Sequence, residues 1–151
     1  MKYLMVCFGN ICRSPMAMGI MKSKLASMGS KSEVDSCGFE PYHIGDAPDK
    51  RAQKVMLKNG IDISGNRARL FQSVDFDNFD HIFVMDRRNF NDVKRMAKTT
   101  ELMQKVDFIM NSVYPGENME VPDPYYGNAD GFNETYAALD KAINAIINNY
   151  E

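Results

Sequence analysis

The chain has 151 residues, 44% of them hydrophobic, and a formal net charge of −2 at pH 7. This length and apolar content predict one domain, residues 1–151, with a packed core, and the charge argues against a nucleic-acid partner. No apolar run approaches the ~20 residues of a membrane-spanning helix, and three cysteines without a paired framework indicate a reducing compartment. We therefore expect a cytoplasmic protein that binds neither nucleic acid nor membrane.

Strands and helices are expected to alternate along the chain. Apolar runs and helical periodicity predict, in order, a strand at 2–7, a helix at 15–28, a strand at 32–37, a helix at 48–59, a strand at 81–85, a helix at 87–97, a strand at 106–110 and a helix at 130–149. Such alternation implies right-handed crossovers between parallel strands. The predicted fold is thus a single-domain, three-layer α/β fold, with a central four-stranded parallel sheet flanked by helices.

The first strand runs directly into a short loop, residues 7–13, with a cysteine at one end and an arginine at the other. Ser14 has the side chain of a helix N-cap and Pro15 suits the first turn, so the helix should point its amino end at the loop. Free N–H groups and a partial positive charge there favour an anion such as a phosphoryl group. The same field favours the thiolate of Cys7, and Arg13 can hold two phosphoryl oxygens with its fork of donors.

Each of these two residues also has an ordinary structural interpretation. Alone, Cys7 would pass for a core cysteine and Arg13 for a surface charge, but their joint placement at a strand-to-helix turn favours a phosphoryl-transfer site with a cysteine nucleophile. Gly9 would let the backbone approach the ligand. No lysine follows a glycine in the loop, which argues against a nucleotide-binding phosphate loop.

Strand polarity connects Asp123 to this loop. In an open parallel sheet the carboxyl ends of the strands share one edge; the loop after the first strand carries Cys7, and the long loop after the last strand, about 111–129, carries Asp123. A carboxylic acid there can protonate a leaving oxygen. A turn aspartate between two prolines is the alternative, and the residues alone leave both open.

Several segments together resemble one known family, the low-molecular-weight protein tyrosine phosphatases. VCFGNICRSP (6–15) resembles the family signature, and VDS (34–36), GDAPD (45–49), VMD (84–86) and VPDPYY (121–126) follow in the family's order. The resemblance implies the flavodoxin-like fold of this family and hydrolysis of phosphotyrosine and small aryl phosphates, including acid phosphatase activity, without cofactor or metal. It assigns Cys7 as nucleophile through a cysteinyl-phosphate, Arg13 as phosphate clamp and Asp123 as general acid and base. The phosphate-binding loop is completed by Phe8, Gly9, Asn10, Ile11, Cys12 and Ser14.

In the family, the residues matched by Asn10, Ser14 and Ser36 form a hydrogen-bond network that shapes the loop. This sequence departs from the pattern at Asn66, where many relatives have a histidine, which leaves open whether the network keeps its geometry. Phe8 is a second departure, since a leucine or similar residue is usual there, and its ring would narrow the pocket or change the stacking on a phenyl group.

Substrate choice should come from residues at the rim. Tyr125 and Tyr126 lie beside Asp123 in the sequence, and Tyr42 follows the second strand, so these rings are expected to flank a phosphotyrosine ring; ordinary surface-loop tyrosines are the alternative. Relatives thought to act on phosphoarginine have a threonine where this chain has Ile11, which favours phosphotyrosine.

Cys12 has two interpretations. It could form a disulfide with Cys7 under peroxide and protect it from over-oxidation, or it could be a small filler beneath the phosphate site. Two other functions stay open: an arsenate reductase, for which no cysteine pair follows Cys37, and a non-catalytic phosphotyrosine-binding module. The expected partners are phosphotyrosine-containing proteins and oxyanions such as phosphate and vanadate, and the expected state is a monomer or weak homodimer.

Overall fold

The structure is a computed structural model that describes residues 1–151. Its four strands are β1 (Lys2–Val6), β2 (Glu33–Cys37), β3 (His81–Val84) and β4 (Val106–Phe108). All neighbouring strands pair in parallel, in the spatial order β2-β1-β3-β4. The predicted four-stranded parallel sheet is confirmed. Strand β1 is an inner strand that pairs with β2 on one side and with β3 on the other.

Helices connect and cover these strands. They are α1 (Arg13–Ser27), α2 (Lys50–Lys58), α3 (Asp75–Asn78), α4 (Arg87–Met96) and α5 (Ala129–Tyr150), with short 3₁₀ turns at Pro41–His43, Leu102–Lys105, Ile109–Ser112 and Pro124–Tyr126. Three of the longer helices begin at a residue whose side-chain oxygen accepts a backbone N–H of the first turn, namely Asp49, Asp86 and Asn128. Such caps satisfy N–H groups that a helix leaves free at its start.

The sheet separates two apolar layers, because alternate side chains of a strand point to opposite faces. Tyr3 and Met5 of β1 belong to the larger core cluster, which α1, α2 and α5 complete. Leu4 and Val6 belong to the smaller cluster, together with apolar residues of α3 and α4. The three-layer arrangement is therefore confirmed. None of the helices has the length and apolar character needed to cross a membrane.

The boundaries of the predicted elements lie within two residues of the sequence-based expectation, and two of the differences concern the start of α1 and the end of β4. Helix α1 begins at Arg13, two residues before the predicted start, so that Ser14 lies inside its first turn. The last strand ends at Phe108 and continues as a 3₁₀ turn, because the amide of Asn111 donates to Asp107 at 2.7 Å and to Asn118 at 2.8 Å and folds the chain back. Ile109 and Met110, the two buried residues after Phe108, are as apolar as residues of a strand. Periodicity alone does not distinguish such a pair from a buried turn.

Candidate active site

The loop between β1 and α1 is supported from below by the end of β2. The backbone N–H groups of Phe39 and Glu40 both donate to the carbonyl oxygen of Phe8, at 2.7 and 3.1 Å. A Cβ atom at Gly38 would lie 2.5 Å from that oxygen, so the close approach of the two segments requires glycine at this position. The loop is thereby fixed to the sheet.

Several backbone amides of this loop make no hydrogen bond within the protein. The N–H groups of Gly9, Ile11 and Cys12 donate to no protein acceptor, and the N–H of Asn10 lies 3.3 Å from the sulfur of Cys7. Free loop amides at the amino end of a helix form a site for an anion. The arrangement of these amides thus agrees with the predicted anion-binding loop.

Cys7 lies at the floor of this loop and is buried. Its sulfur is 3.0 Å from the hydroxyl oxygen of Ser14 and also accepts the backbone N–H of Asn10. The predicted role of Ser14 as helix N-cap is wrong: α1 begins after Cys12, and no side chain caps it. The hydroxyl of Ser14 is occupied by the sulfur and by Asn10 instead.

Asn10 organises the loop from within. Its backbone has φ 55°, in the left-handed region, and its amide nitrogen donates to Ser14 Oγ at 2.7 Å and to Ser36 Oγ at 2.9 Å. Its carbonyl oxygen accepts the backbone N–H of Arg69 at 3.0 Å. The network expected among Asn10, Ser14 and Ser36 is therefore present as a set of contacts.

Asn66 takes no part in that network. Its amide nitrogen is buried without a hydrogen-bond partner, and the backbone of Arg69 supplies the contact to Asn10. The guanidinium of Arg69 is held by Asp35 and Asp75, each at 3.0 Å. Burial opposes the charge of this arginine, but the bonds to Asp75 and the neighbouring charges outweigh burial and raise the pKa of Arg69. The contacts among Asn10, Ser14 and Ser36 are therefore made without a side chain from position 66.

Arg13 is almost completely buried and its guanidinium joins three elements. It donates from Nη1 to Asp86 Oδ2 at 2.8 Å and to the carbonyl oxygen of Val121 at 2.7 Å. Its Nη2 lies 3.7 Å from Asp123 Oδ2. Burial disfavours the charge, but Cys7 and Asp86 outweigh it and raise the pKa of Arg13. Asp86 had no role in the sequence analysis, although an aspartate directly after a strand of this sheet was the signal for one.

Asp123 reaches the same place from the far end of the sequence. One carboxylate oxygen accepts the N–H of Tyr125 at 3.1 Å, as a turn aspartate would, while the other faces Arg13. Its side chain is 30% exposed. The two interpretations from the sequence are therefore compatible, since one oxygen accepts the N–H of the turn and the other lies at the cavity beside Arg13.

Arg51 holds the loop that carries Asp123, and sequence reasoning missed it. Its guanidinium is paired with Asp49 at 2.9 Å and donates to the carbonyl oxygens of Tyr125 at 3.2 Å and Gly127 at 3.4 Å. It also lies over the ring of Phe132, 4.7 Å from the centroid. Burial raises the pKa of Asp49, but hydrogen bonds from Arg51 outweigh this effect and lower it. The charge distribution thus favours a fixed position for the loop.

Cys7, Arg13 and Asp123 open onto one cavity of about 210 Å³. Phe8, Ile11 and the three predicted rim tyrosines line it, Tyr42 and Tyr126 being 83% and 81% exposed and Tyr125 41% exposed. His43 also lines it, and a Cβ at Gly9 would lie 3.3 Å from the His43 ring. The glycine therefore makes room for this ring as well as for a ligand.

Cys12 lies beside Cys7 at the same cavity but is chemically distinct from it. Its thiol is buried. Burial is the main cause that raises the pKa of Cys12, and the neighbouring charge of Cys7 raises it further. None of the three cysteines forms a disulfide. The cavity therefore presents one sulfur with hydrogen-bond donors around it and a second that is kept as a neutral thiol.

A parallel α/β sheet whose first loop brings a cysteine, free amides and a buried arginine to one cavity defines the class of phosphate-binding α/β enzymes with a thiol in the phosphate loop. Comparison with known proteins specifies the class further, since the description "Low molecular weight phosphotyrosine protein phosphatase" belongs to the family that matches residues 2–150. The chain belongs to this family, whose members are hydrolases.

Individual relatives agree with this assignment. The chain is 40% identical over 139 residues to a low molecular weight phosphotyrosine protein phosphatase of Schizosaccharomyces pombe, covering 90% of this chain and 88% of the relative. It is similar to a crystal structure of a protein tyrosine phosphatase from Entamoeba histolytica, with a TM-score of 0.90, 36% identity and coverage of 97% and 94%. It is also similar to the Drosophila arginine phosphatase DARP, with a TM-score of 0.89, 29% identity and coverage of 100% and 98%.

Proposed function

We propose that the protein hydrolyses phosphotyrosine in proteins, and small aryl phosphates, through a cysteinyl-phosphate intermediate. The observation that carries the proposal is the convergence of Cys7, Arg13 and Asp123 on one cavity, with Arg13 Nη2 3.7 Å from Asp123 Oδ2. Acid phosphatase activity on simple aryl esters follows from the same chemistry. No metal or cofactor is needed for any step.

In the first step the sulfur of Cys7 attacks phosphorus, and the bond from phosphorus to the phenolic oxygen breaks. Donors at 3.0 and 3.3 Å, from Ser14 and the Asn10 amide, favour the negative charge of the attacking thiolate. The free loop amides and Arg13 hold the phosphoryl oxygens as charge develops on them. Asp123 gives its proton to the leaving phenolic oxygen, which otherwise departs as a poor leaving group.

In the second step a water molecule attacks the phosphorus of the cysteinyl-phosphate. Asp123, now a carboxylate, accepts a proton from that water, and the sulfur–phosphorus bond breaks to release phosphate and the thiolate of Cys7. The carboxylate is partly exposed at the cavity, so water reaches it. The same three side chains therefore serve both halves of the reaction.

Phosphoarginine is the second candidate substrate, because one structural relative is an arginine phosphatase. A phosphorylated guanidinium carries N–H donors that need acceptors when buried. At this cavity Ile11 offers only aliphatic surface, whereas aromatic side chains surround the entrance. These features favour the aryl ring of phosphotyrosine.

The remaining alternatives are less well supported. An arsenate reductase needs a further reactive cysteine pair, and the other thiol outside the loop, Cys37, is completely buried with its pKa raised by that burial. A binding module would not need an acid at the position of Asp123.

We further propose that the protein is a monomer or weak homodimer and that it lies in the cytoplasm, which keeps the three thiols reduced. Gel filtration tests the oligomeric state, and cell fractionation tests the location.

Hydrolysis of phenyl phosphate and para-nitrophenyl phosphate tests the mechanism, and hydrolysis of phosphotyrosine and phosphoarginine tests the substrate. Cys7→Ser should abolish turnover while the protein still binds vanadate. Asp123→Ala should lower kcat about 10²- to 10⁴-fold for phenyl phosphate, and much less for para-nitrophenyl phosphate, whose leaving group needs no proton. Equal losses on both esters would contradict the role of Asp123. Turnover in Cys7→Ser, or faster hydrolysis of phosphoarginine than of phosphotyrosine, would overturn the proposal.

A further inference from the structure

The guanidinium of Arg88 lies against Phe8, the loop residue that follows Cys7. The guanidinium carbon of Arg88 is 3.8 Å from the centroid of the Phe8 ring. This is the shortest of the arginine–aromatic contacts in the protein. An arginine over an aromatic face is attracted by the negative potential of that face. The aromatic residue at position 8 therefore fixes a positive charge at the phosphate loop.

Arg88 is placed there by α4, the helix that begins beside the carboxylate partner of Arg13. It belongs to the first turn of α4, two residues after Asp86, whose carboxylate holds Arg13. Phe8 follows Cys7 directly and lines the cavity. The guanidinium is consequently attached to the rim from two sides, by the helix that carries it and by the ring on which it lies.

The charge of Arg88 has no partner within the protein. Its guanidinium forms no ion pair and no hydrogen bond, in contrast to Arg13, Arg51 and Arg69, which all bind carboxylates. The residue is exposed. Glu40, the acidic rim residue on the neighbouring segment, uses its carboxylate to accept the N–H of Tyr42 at 3.0 Å. The donors of Arg88 are therefore available to a ligand.

We infer that Arg88, held on Phe8, selects phosphotyrosine substrates with an acidic residue next to the phosphotyrosine. This inference rests on the proposed phosphatase function. A guanidinium presents a fork of donors that matches a carboxylate. Because two extended residues span ~7 Å, the carboxylate belongs to a residue one or two positions from the phosphotyrosine whose ring passes Phe8.

The expected magnitude is that of an exposed ion pair. Such pairs contribute up to about fivefold in an equilibrium or rate constant, and salt screens them. We therefore expect a glutamate at the selected position to raise kcat/KM by up to about fivefold over glutamine, and the ratio to fall toward one at high ionic strength. The effect is one of substrate choice and leaves the chemistry at Cys7 unaltered.

The experiment compares phosphotyrosine peptides that carry glutamate, glutamine or lysine at each of the two positions on both sides of the phosphotyrosine. Wild-type protein should prefer glutamate at one or two of these positions. Arg88→Gln should abolish that preference, Arg88→Lys should retain part of it, and Arg88→Glu should reverse it in favour of lysine. Arg87→Gln is the matched control, because the neighbouring arginine lies over Phe108 of β4 instead, 5.5 Å from its centroid, and this variant should keep the preference.

Phenyl phosphate, which has no flanking residues, separates the two levels of the proposal. If wild-type protein hydrolyses phenyl phosphate but shows no difference in rate among the peptides, the role of Arg88 is overturned while the phosphatase function stands. A glutamate preference that survives in Arg88→Gln, or is lost equally in Arg87→Gln, overturns it as well. If phenyl phosphate is not hydrolysed, the proposed function fails and this inference fails with it.

Discussion

Replacing Asn10 by alanine removes three hydrogen bonds from a side chain that is 1% exposed. These are the bonds to Ser14 and Ser36 and the one accepted from the backbone of Arg69, at 2.7, 2.9 and 3.0 Å. Each contributes about 1 kcal/mol net to stability. The left-handed backbone at φ 55° adds about 1 kcal/mol, because alanine tolerates this region less well than asparagine. We expect Asn10→Ala to lower the free energy of unfolding by about 4 kcal/mol.

Two further variants separate these contributions. Asn10→Gly loses the same bonds but has no Cβ to strain the left-handed backbone, so it should be about 1 kcal/mol more stable than Asn10→Ala. Ser36→Ala removes one of the three bonds and should cost about 1 kcal/mol. The order of stability is therefore wild type, Ser36→Ala, Asn10→Gly and Asn10→Ala.

Urea denaturation measures these differences directly, with thermal unfolding as a second observable, at about 2–4 °C per kcal/mol for a chain of this size. Turnover of phenyl phosphate should fall in the same order, because the network places the backbone N–H of Asn10 and the hydroxyl of Ser14 at the sulfur of Cys7. An Asn10→Ala protein within about 1 kcal/mol of wild type, or a glycine variant less stable than the alanine variant, would refute the reasoning.

Three other predictions concern Arg51, Cys12 and the C-terminal residue Glu151. Arg51→Met frees the Tyr125–Gly127 segment, so kcat for phenyl phosphate should fall about tenfold, or 1.4 kcal/mol, and less for para-nitrophenyl phosphate; equal losses would show that Arg51 does not act through Asp123. Cys12→Ser should convert reversible inactivation by peroxide into irreversible inactivation, measured by recovery with a thiol, whereas identical recovery would assign Cys12 to packing alone. In Glu151, hydrogen bonds from Ser30 and Tyr3 outweigh burial and lower the pKa of the carboxyl, so its contribution to stability is complete above the unfolded pKa and lost as pH falls through the folded one. Glu151→Gln should thus cost about 0.5 kcal/mol at pH 7, given its exposure, and nothing well below pH 4; a pH-independent difference would contradict this cause.

Much of the fold follows from patterns that are local in the sequence. Apolar runs and helical periodicity identify the four strands and four of the five helices, and parallel pairing follows from their alternation. The short helix α3 escapes this approach because four residues are too few for a periodic pattern. The end of β4 escapes it because side-chain bonds of Asn111 decide where the strand stops.

The candidate site shows the same division between local and distant effects. The motif around Cys7, together with strand polarity, is sufficient to place Arg13 and Asp123 at one edge of the sheet. The sequence could not show that Ser14 binds the sulfur rather than capping α1, since both roles use the same hydroxyl in the same turn. It also could not show that the backbone of Arg69 donates to Asn10 or that Arg88 lies on Phe8, because these contacts join residues that are 59 and 80 positions apart.

The most direct test of the central claim is to trap the phosphorylated intermediate. Wild-type protein would be mixed with excess para-nitrophenyl phosphate, quenched within milliseconds in acid, digested and analysed by mass spectrometry. The proposed mechanism predicts one phosphoryl group on the peptide that contains Cys7, bound at sulfur, and none in Cys7→Ser. Turnover without a phosphorylated Cys7 peptide, or a phosphoryl group on another residue, would contradict it.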